Sequence, residues 1–79
     1  MSPTVFRDGP FRYYFFSREE SRRHVHVMGS DGEAKVWLEP SVELAGSTGL
    51  SGSELRQILA TVKEHENEIR EHWNRHFGG

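Results

Sequence analysis

Two stretches in the first half of the chain alternate regularly between apolar and other residues. In the first, a histidine separates Val25 from Val27, and in the second, Val36 lies between Lys35 and Trp37. Because successive side chains of a strand point to opposite faces, this period of two predicts two β-strands. The face predicted to cover a core carries Val25, Val27, Ala34, Val36 and Leu38. The other face carries His24, His26, Met28, Lys35 and Trp37.

Ser30-Asp31-Gly32 joins these strands, and Asp-Gly is the pair that a two-residue type I′ turn favours. With Asp31 and Gly32 as the loop, Ser30 pairs with Glu33 and every later pair is fixed. The predicted pairs are Val25–Leu38, Val27–Val36, His26–Trp37 and His24–Glu39. A one-residue slip would mix the two faces, so the apolar pattern supports this register.

Further β-prone stretches lie on either side of this hairpin. Thr4–Arg7 and Phe11–Ser17 flank Asp8-Gly9-Pro10, a turn triplet that favours a hairpin. Val42–Ala45 follows Pro40 and is predicted as a short edge strand. The sequence therefore predicts an antiparallel sheet of four or five strands.

The second half of the chain begins with a helix-start signal. Ser51, followed three residues later by Glu54, forms a capping box. No proline or glycine interrupts the chain from Ser53 to Phe77. Apolar residues recur at helical spacing, namely Leu55, Leu59, Val62, Ile69 and Trp73. One continuous helix over 51–77 is therefore predicted.

These elements predict a single α+β domain over 1–79, with the sheet half in 1–45 and one long C-terminal helix packed on the apolar face. A helix of about 26 residues is about 39 Å long, whereas strands of about five or six residues span about 17–20 Å. Ile69, Trp73 and Phe77 are therefore expected to overhang the sheet. An exposed apolar patch usually binds a partner, here another small protein or a second copy through the helix. The alternative is that the aromatic N-terminal strands wrap over it.

Composition narrows the function classes. The chain has no cysteine, which excludes disulfides, thiolate metal sites and cysteine nucleophiles. Twelve acidic and ten basic side chains give a net charge of -2, so there is no general attraction to nucleic acid. With 34% hydrophobic residues, no stretch approaches the roughly 20 apolar residues of a membrane helix, and no signal peptide is visible. We expect a cytoplasmic protein that does not enter a membrane.

Several short motifs, taken in order, resemble a known family. They are Pro3-Thr4-Val5-Phe6, the aromatic run Phe11–Phe16, His24-Val25-His26-Val27, Gly32–Leu38 and the helix end with Trp73 and Phe77. Together they resemble the small bacterial family called domain of unknown function 4160, although Arg23 stands where that family usually has proline. Members of the family look like halves of two-gene, toxin–antitoxin-like modules. The resemblance therefore implies a protein partner encoded nearby and no particular reaction.

His24 and His26 are the main candidates for chemistry. At positions i and i+2 of a strand both imidazoles project from one face, a spacing that can hold a divalent metal, with Glu39 as a third ligand. Alternatively, the pair divides proton removal and donation in RNA cleavage, and Lys35 together with Arg12 or Arg23 neutralises the developing charge. A structural role, with His26 stacked on Trp37, is the third interpretation. No cofactor is required by another motif, and whether the chain is an enzyme stays open.

Two further features bear on binding partners. Trp37, Tyr13 and Tyr14 are able to stack RNA bases, so RNA is a partner class beside a neighbouring protein and self-association. The helical histidines share one stripe, but a helix on the valine face lies across the sheet from His24. Those histidines are His65, His72 and His76. We expect the interaction surface to comprise Ile69, Trp73, Phe77, His26 and Trp37.

Overall fold

The computed structural model describes residues 4–15 and 22–77. Its elements in chain order are β1 (Thr4–Asp8), β2 (Phe11–Tyr14), β3 (His24–Met28), β4 (Glu33–Trp37), β5 (Glu43–Thr48), α1 (Gly52–Glu64) and α2 (Glu66–Phe77). The strands form one antiparallel sheet in the order β1-β2-β3-β4-β5. The predicted α+β class and antiparallel sheet are therefore confirmed. Neither helix within these ranges has the length and apolarity needed to cross a membrane.

The outer strands differ from their predicted bounds. β1 and β2 form the predicted hairpin around Gly9, and the predicted continuation of β2 through Phe16 and Ser17 lies outside the described residues. β5 extends to Thr48, three residues beyond the predicted end at Ala45. The sheet is thus a five-stranded meander whose last strand is longer than its sequence pattern indicates.

The predicted register of the central hairpin is wrong by two residues. Val25 pairs with Val36, and His24 pairs with Trp37. The loop has four residues, 29–32, and is closed by a 2.8 Å hydrogen bond from the Gly29 N–H to the carbonyl oxygen of Gly32. Gly32 has no positive φ, which a type I′ turn requires. The shift is even, so each side chain keeps its predicted face.

The predicted single long helix is also wrong, because it bends at His65. The capping box that starts α1 is present: Ser51 Oγ accepts from the Glu54 N–H at 3.1 Å, and Glu54 Oε1 accepts from the Ser51 N–H at 2.9 Å. Helical hydrogen bonds are present on both sides of the bend. The His65 N–H donates to the carbonyl oxygen of Thr61 at 3.0 Å, and the Ile69 N–H donates to the carbonyl oxygen of His65 at 2.9 Å. The backbone of His65 departs from helical geometry, with φ -106° and ψ 19°, and this one residue separates α1 from α2.

The kink removes the predicted overhang. Ile69 is 0% exposed and Trp73 is 5% exposed, and both belong to the core with Ile58, Val62 and the apolar face of the sheet. The largest dimension of the fold is 34 Å, shorter than the roughly 39 Å of a straight 26-residue helix. The expectation that Ile69 and Trp73 project beyond the sheet is therefore wrong, and the side chain of Phe77 lies outside what the structure describes.

Candidate functional site

The face of the sheet that points away from the helices carries the candidate site, and we call it the open face. Strand pairing aligns Tyr14, His26, Lys35 and Gly46 in one row across β2, β3, β4 and β5. A second row contains Arg12, Met28, Glu33 and Thr48, and a third contains His24, Trp37 and Glu43. Since paired residues share a face, these rows form one surface. The helices pack on the opposite face of the sheet. The exception is near the end of α2, where the Trp73 ring contacts the ring of His24.

Cations stacked on aromatic rings are the main feature of the open face. The Arg22 guanidinium carbon lies 4.0 Å from the centre of the Trp37 ring, and the Lys35 ammonium nitrogen lies 4.4 Å from the same centre. On the next strands the Arg12 guanidinium lies 4.8 Å from the ring of Tyr14. Each such contact is worth about 0.5–1 kcal/mol at an exposed site. The rings therefore hold three positive groups in defined positions.

A cleft of about 310 Å³ opens between these groups and the last strand. It is lined by Tyr14, His26, Glu33, Ala34, Lys35, Gly46, Ser47 and Thr48. A Cβ atom built on Gly46 would meet no atom within 4 Å, so the row of side chains ends in open space above β5. Burial raises the pKa of Tyr14, and the charge of Glu33 acts in the same direction. The phenol therefore stays neutral.

The histidine pair lies beside this cleft, and its two members differ in access. His24 is 2% exposed, and its Nδ1 lies 2.7 Å from the carbonyl oxygen of Arg22. Its ring is 5.2 Å from that of His26 and 5.1 Å from that of Trp73. His24 is therefore enclosed by other rings, whereas His26 is half-buried and lines the cleft.

The predicted stacking of His26 on Trp37 does not occur. The His26 ring stacks on Tyr14 instead, with centroids 5.5 Å apart and an interplanar angle of 26°. Trp37 meets His24 edge-on at 5.7 Å. The exchange follows from the register, because the two-residue shift places Trp37 opposite His24 and Lys35 opposite His26.

Glu39 is not opposite His24, so the predicted metal ligand set is not assembled. Its carboxylate accepts from the Arg23 N–H at 3.2 Å and from the Arg23 guanidinium at 3.3 Å. Arg23 in turn donates to Asn74 on α2 at 2.9 Å. Among residues 4–15 and 22–77, no three His, Asp or Glu side chains are grouped closely enough to hold a metal. Glu39 therefore joins the start of β3 to α2 through Arg23.

Glu39 should make stability depend on pH. The hydrogen bond from the Arg23 N–H holds the pKa of Glu39 below its usual value of 4.5, and the charges of Arg23 and Arg70 act in the same direction. Because the folded-state pKa is depressed, this stabilisation is present above the unfolded-state pKa and is lost as the pH falls through the folded-state pKa. We expect Glu39→Gln to lower the urea midpoint of unfolding at neutral pH. The difference between the midpoints of the variant and the wild type should shrink progressively as the pH falls below 4.5. Glu71→Gln, on the exposed side of α2, controls for the lost charge; a difference that stays constant with pH would contradict the expectation.

Arg22 was not predicted from the sequence as part of a site, and Arg12 was predicted only as a group that neutralises charge in RNA cleavage. Both stack on rings, yet an arginine near an aromatic residue in sequence is too common to predict this contact. The helical histidines lie elsewhere: His65 packs at 4.9 Å on Phe6 and His76 at 6.2 Å on Phe15. The structure thus brings together His26, Lys35 and Trp37, and it separates them from the helical histidines.

Comparison with known families gives a match over most of the chain. The family model described as Domain of unknown function (DUF4160) matches residues 11–74. This range runs from the start of β2 nearly to the end of α2 and contains the open face from Arg12 to Thr48. No curated protein and no solved structure matches the chain significantly.

Proposed function

This chain belongs to the Domain of unknown function (DUF4160) family, and we propose that it is the protein-interaction component of a bacterial, two-gene, toxin–antitoxin-like module. In this proposal the chain acts in the cytoplasm and binds an acidic segment of its partner on the open face. The family resemblance supports the two-gene module. The observation that carries the binding mode is the set of cations stacked on Trp37 and Tyr14.

Stacked cations suit the capture of carboxylates. A lysine or arginine that is already restrained by an aromatic ring loses less conformational entropy when it pairs with an anion. Arg12, Arg22 and Lys35 lie on the open face, whereas five carboxylates lie on helices that pack against the other face. Those carboxylates are Glu54, Glu64, Glu66, Glu68 and Glu71. The helices also carry Arg56, Lys63, Arg70 and Arg75, and the open face carries Glu33 and Glu43. The attraction of an acidic partner to the open face therefore rests on the three stacked cations and not on an overall separation of charge.

An acidic protein segment fits this surface better than RNA does. Single-strand binders stack successive bases on exposed aromatic faces. Here Arg22 and Lys35 lie over Trp37, and Tyr14 lies between Arg12 and His26. A base would have to displace side chains of the protein itself.

The histidine-based alternatives remain predictions that this geometry does not favour. Proton transfer needs two groups within reach of a substrate. His24 is 2% exposed and is enclosed by Trp73, His26 and Trp37. His26 and Lys35 line the cleft, and within residues 4–15 and 22–77 its lining contains no second histidine.

Calorimetric titration with the purified product of the neighbouring gene tests the proposal. We expect Arg12→Ala and Trp37→Ala each to weaken binding about tenfold. The first removes a stacked cation, and the second removes the ring that holds Arg22 and Lys35 in place. Rising salt should weaken wild-type binding, as expected for charges near the surface. Lys63→Ala removes an exposed cation from α1 and is the matched control.

Two results would contradict the proposal. One is a neighbouring protein that does not bind, or that binds Arg12→Ala, Trp37→Ala and Lys63→Ala equally well. The other is tight binding of a fluorescent single-stranded oligoribonucleotide that is lost in Trp37→Ala, which would assign the open face to RNA.

A further inference from the structure

The last strand of the sheet, β5, is exposed along its whole length. All six residues of Glu43–Thr48 are exposed, and Leu44 is 37% exposed although it pairs with the buried Val36. β5 lies at the end of the strand order, so its outer edge has no strand beside it in the described part of the chain. An edge of this kind presents unpaired N–H and C=O groups that can pair with another strand.

β5 has two of the features that protect such edges, a charged residue and a bulge, and lacks others. The stretch contains no proline and no lysine, the residues that usually block pairing. It does contain an irregularity: Lys35 pairs with Gly46 and Val36 pairs with Leu44, which leaves Ala45 as an extra residue. Because of this bulge, Glu43 and Gly46 lie on the same face of the sheet although they are three residues apart. Glu43 pairs with Trp37 and Gly46 pairs with Lys35, both on the open face.

We propose that β5 pairs antiparallel with β5 of a second copy of this chain, with Glu43 of one copy opposite Gly46 of the other. This pairing is symmetric, because Gly46 of the first copy then faces Glu43 of the second. Leu44 of each copy faces Ala45 of the other. Two five-stranded sheets join into one, and their open faces become continuous.

Charge and shape at Gly46 select this register. In this register Glu43 of the second copy lies next to Gly46 and so extends the row that contains Lys35 and Gly46. Since Gly46 has no side chain, the Glu43 carboxylate can enter the cleft above it. Neighbouring strands are about 4.8 Å apart, so the Cα atoms of Lys35 and the incoming Glu43 are about 10 Å apart. Extended lysine and glutamate side chains together cover that distance. Each dimer thus has two Glu43–Lys35 ion pairs between copies.

The self-association differs from the one expected from the sequence. The helix end buries Ile69 and Trp73 within one copy, whereas β5 offers backbone groups and one exposed leucine. A single strand pair buries less than the roughly 1,200 Å² of a stable interface, so the dimer should form only at high concentration. It goes beyond the proposed function, which requires one copy and its partner.

Sedimentation velocity at concentrations up to about 1 mM tests the dimer and its register. We expect Glu43→Lys alone and Lys35→Glu alone to weaken dimerisation about tenfold, since each places like charges across the interface. An equimolar mixture of the two variants should dimerise at least as well as wild type, because both contacts then join opposite charges. Glu71→Lys, an exposed charge reversal on α2, should have no effect.

Far-UV circular dichroism of each variant first confirms that it is folded, so failure of the mixture to dimerise reports on the contact and not on folding. Slower amide exchange in residues 43–48 with rising protein concentration would locate the contact at β5. The proposal is overturned by a wild-type chain that stays monomeric over this range, or by a mixture no stronger than its components. A monomer that still binds the neighbouring protein through Arg12 would overturn the dimer and leave the proposed function intact.

Discussion

Replacing Trp73 with alanine is expected to lower the free energy of unfolding by about 3–5 kcal/mol. The indole is 5% exposed, meets Phe15 edge-on at 5.3 Å and lies 5.1 Å from His24. Its loss would leave a cavity where α2, the end of β2 and the start of β3 meet. Small domains are stable by about 5–15 kcal/mol in total, so most of the margin would disappear. Urea unfolding followed by far-UV circular dichroism measures the change.

Trp37→Ala provides a matched control for this prediction, since it removes the same side chain from a half-buried position on the open face. Its cost is expected to be about 1–2 kcal/mol, from the lost packing of Arg22 and Lys35 on the ring. If both variants were equally stable, Trp73 would not be part of the core. The overhanging helix end predicted from the sequence would then be the better description.

The faces of the central strands were predictable because they depend on periodicity alone. Alternation placed Val25 and Val36 on the core side, and both are 0% exposed. The register was not predictable from the same pattern, since a shift by two residues leaves every face unchanged. It depends on which two residues lie at the centre of the loop, Asp31 and Gly32 as predicted or Ser30 and Asp31 as found. In the folded chain Gly32 lies against the backbone of Gly49, a contact between residues far apart in sequence.

The helix shows a similar division between local and distant causes. Its start at Ser51 was predictable because the capping box is a local interaction. The kink at His65 has no sequence signal, as neither proline nor glycine is nearby. At the bend, the His65 ring packs at 4.9 Å on Phe6, and its Nδ1 lies 3.0 Å from Glu68. Packing against β1 is a tertiary interaction that periodicity does not contain.

The part of the candidate site that was predictable is the face of the sheet on which each side chain lies. His26, Lys35 and Trp37 were expected on one surface and are found there. Which ring stacks on which cation depends on register and on the course of the chain before β3, so Arg22 was missed. The role of Gly46 was missed because it follows from a bulge that no residue pattern announces.

Gly32→Ala is expected to destabilise the domain by at least about 3 kcal/mol, because the added methyl group meets backbone and not a movable side chain. Its Cβ would lie 2.0 Å from the carbonyl oxygen of Thr48 and 2.7 Å from the carbonyl carbon of Gly49. Gly49 has a φ of +76°, and a Cβ there would lie 2.3 Å from the Asp31 oxygen, so neither segment can yield. Gly46→Ala is the control: its Cβ meets nothing within 4 Å, and its free energy of unfolding should stay within about 1 kcal/mol of wild type. Thermal unfolding of both variants measures the difference. Equal thermal midpoints would show that the loop at Gly32 does not pack on the end of β5.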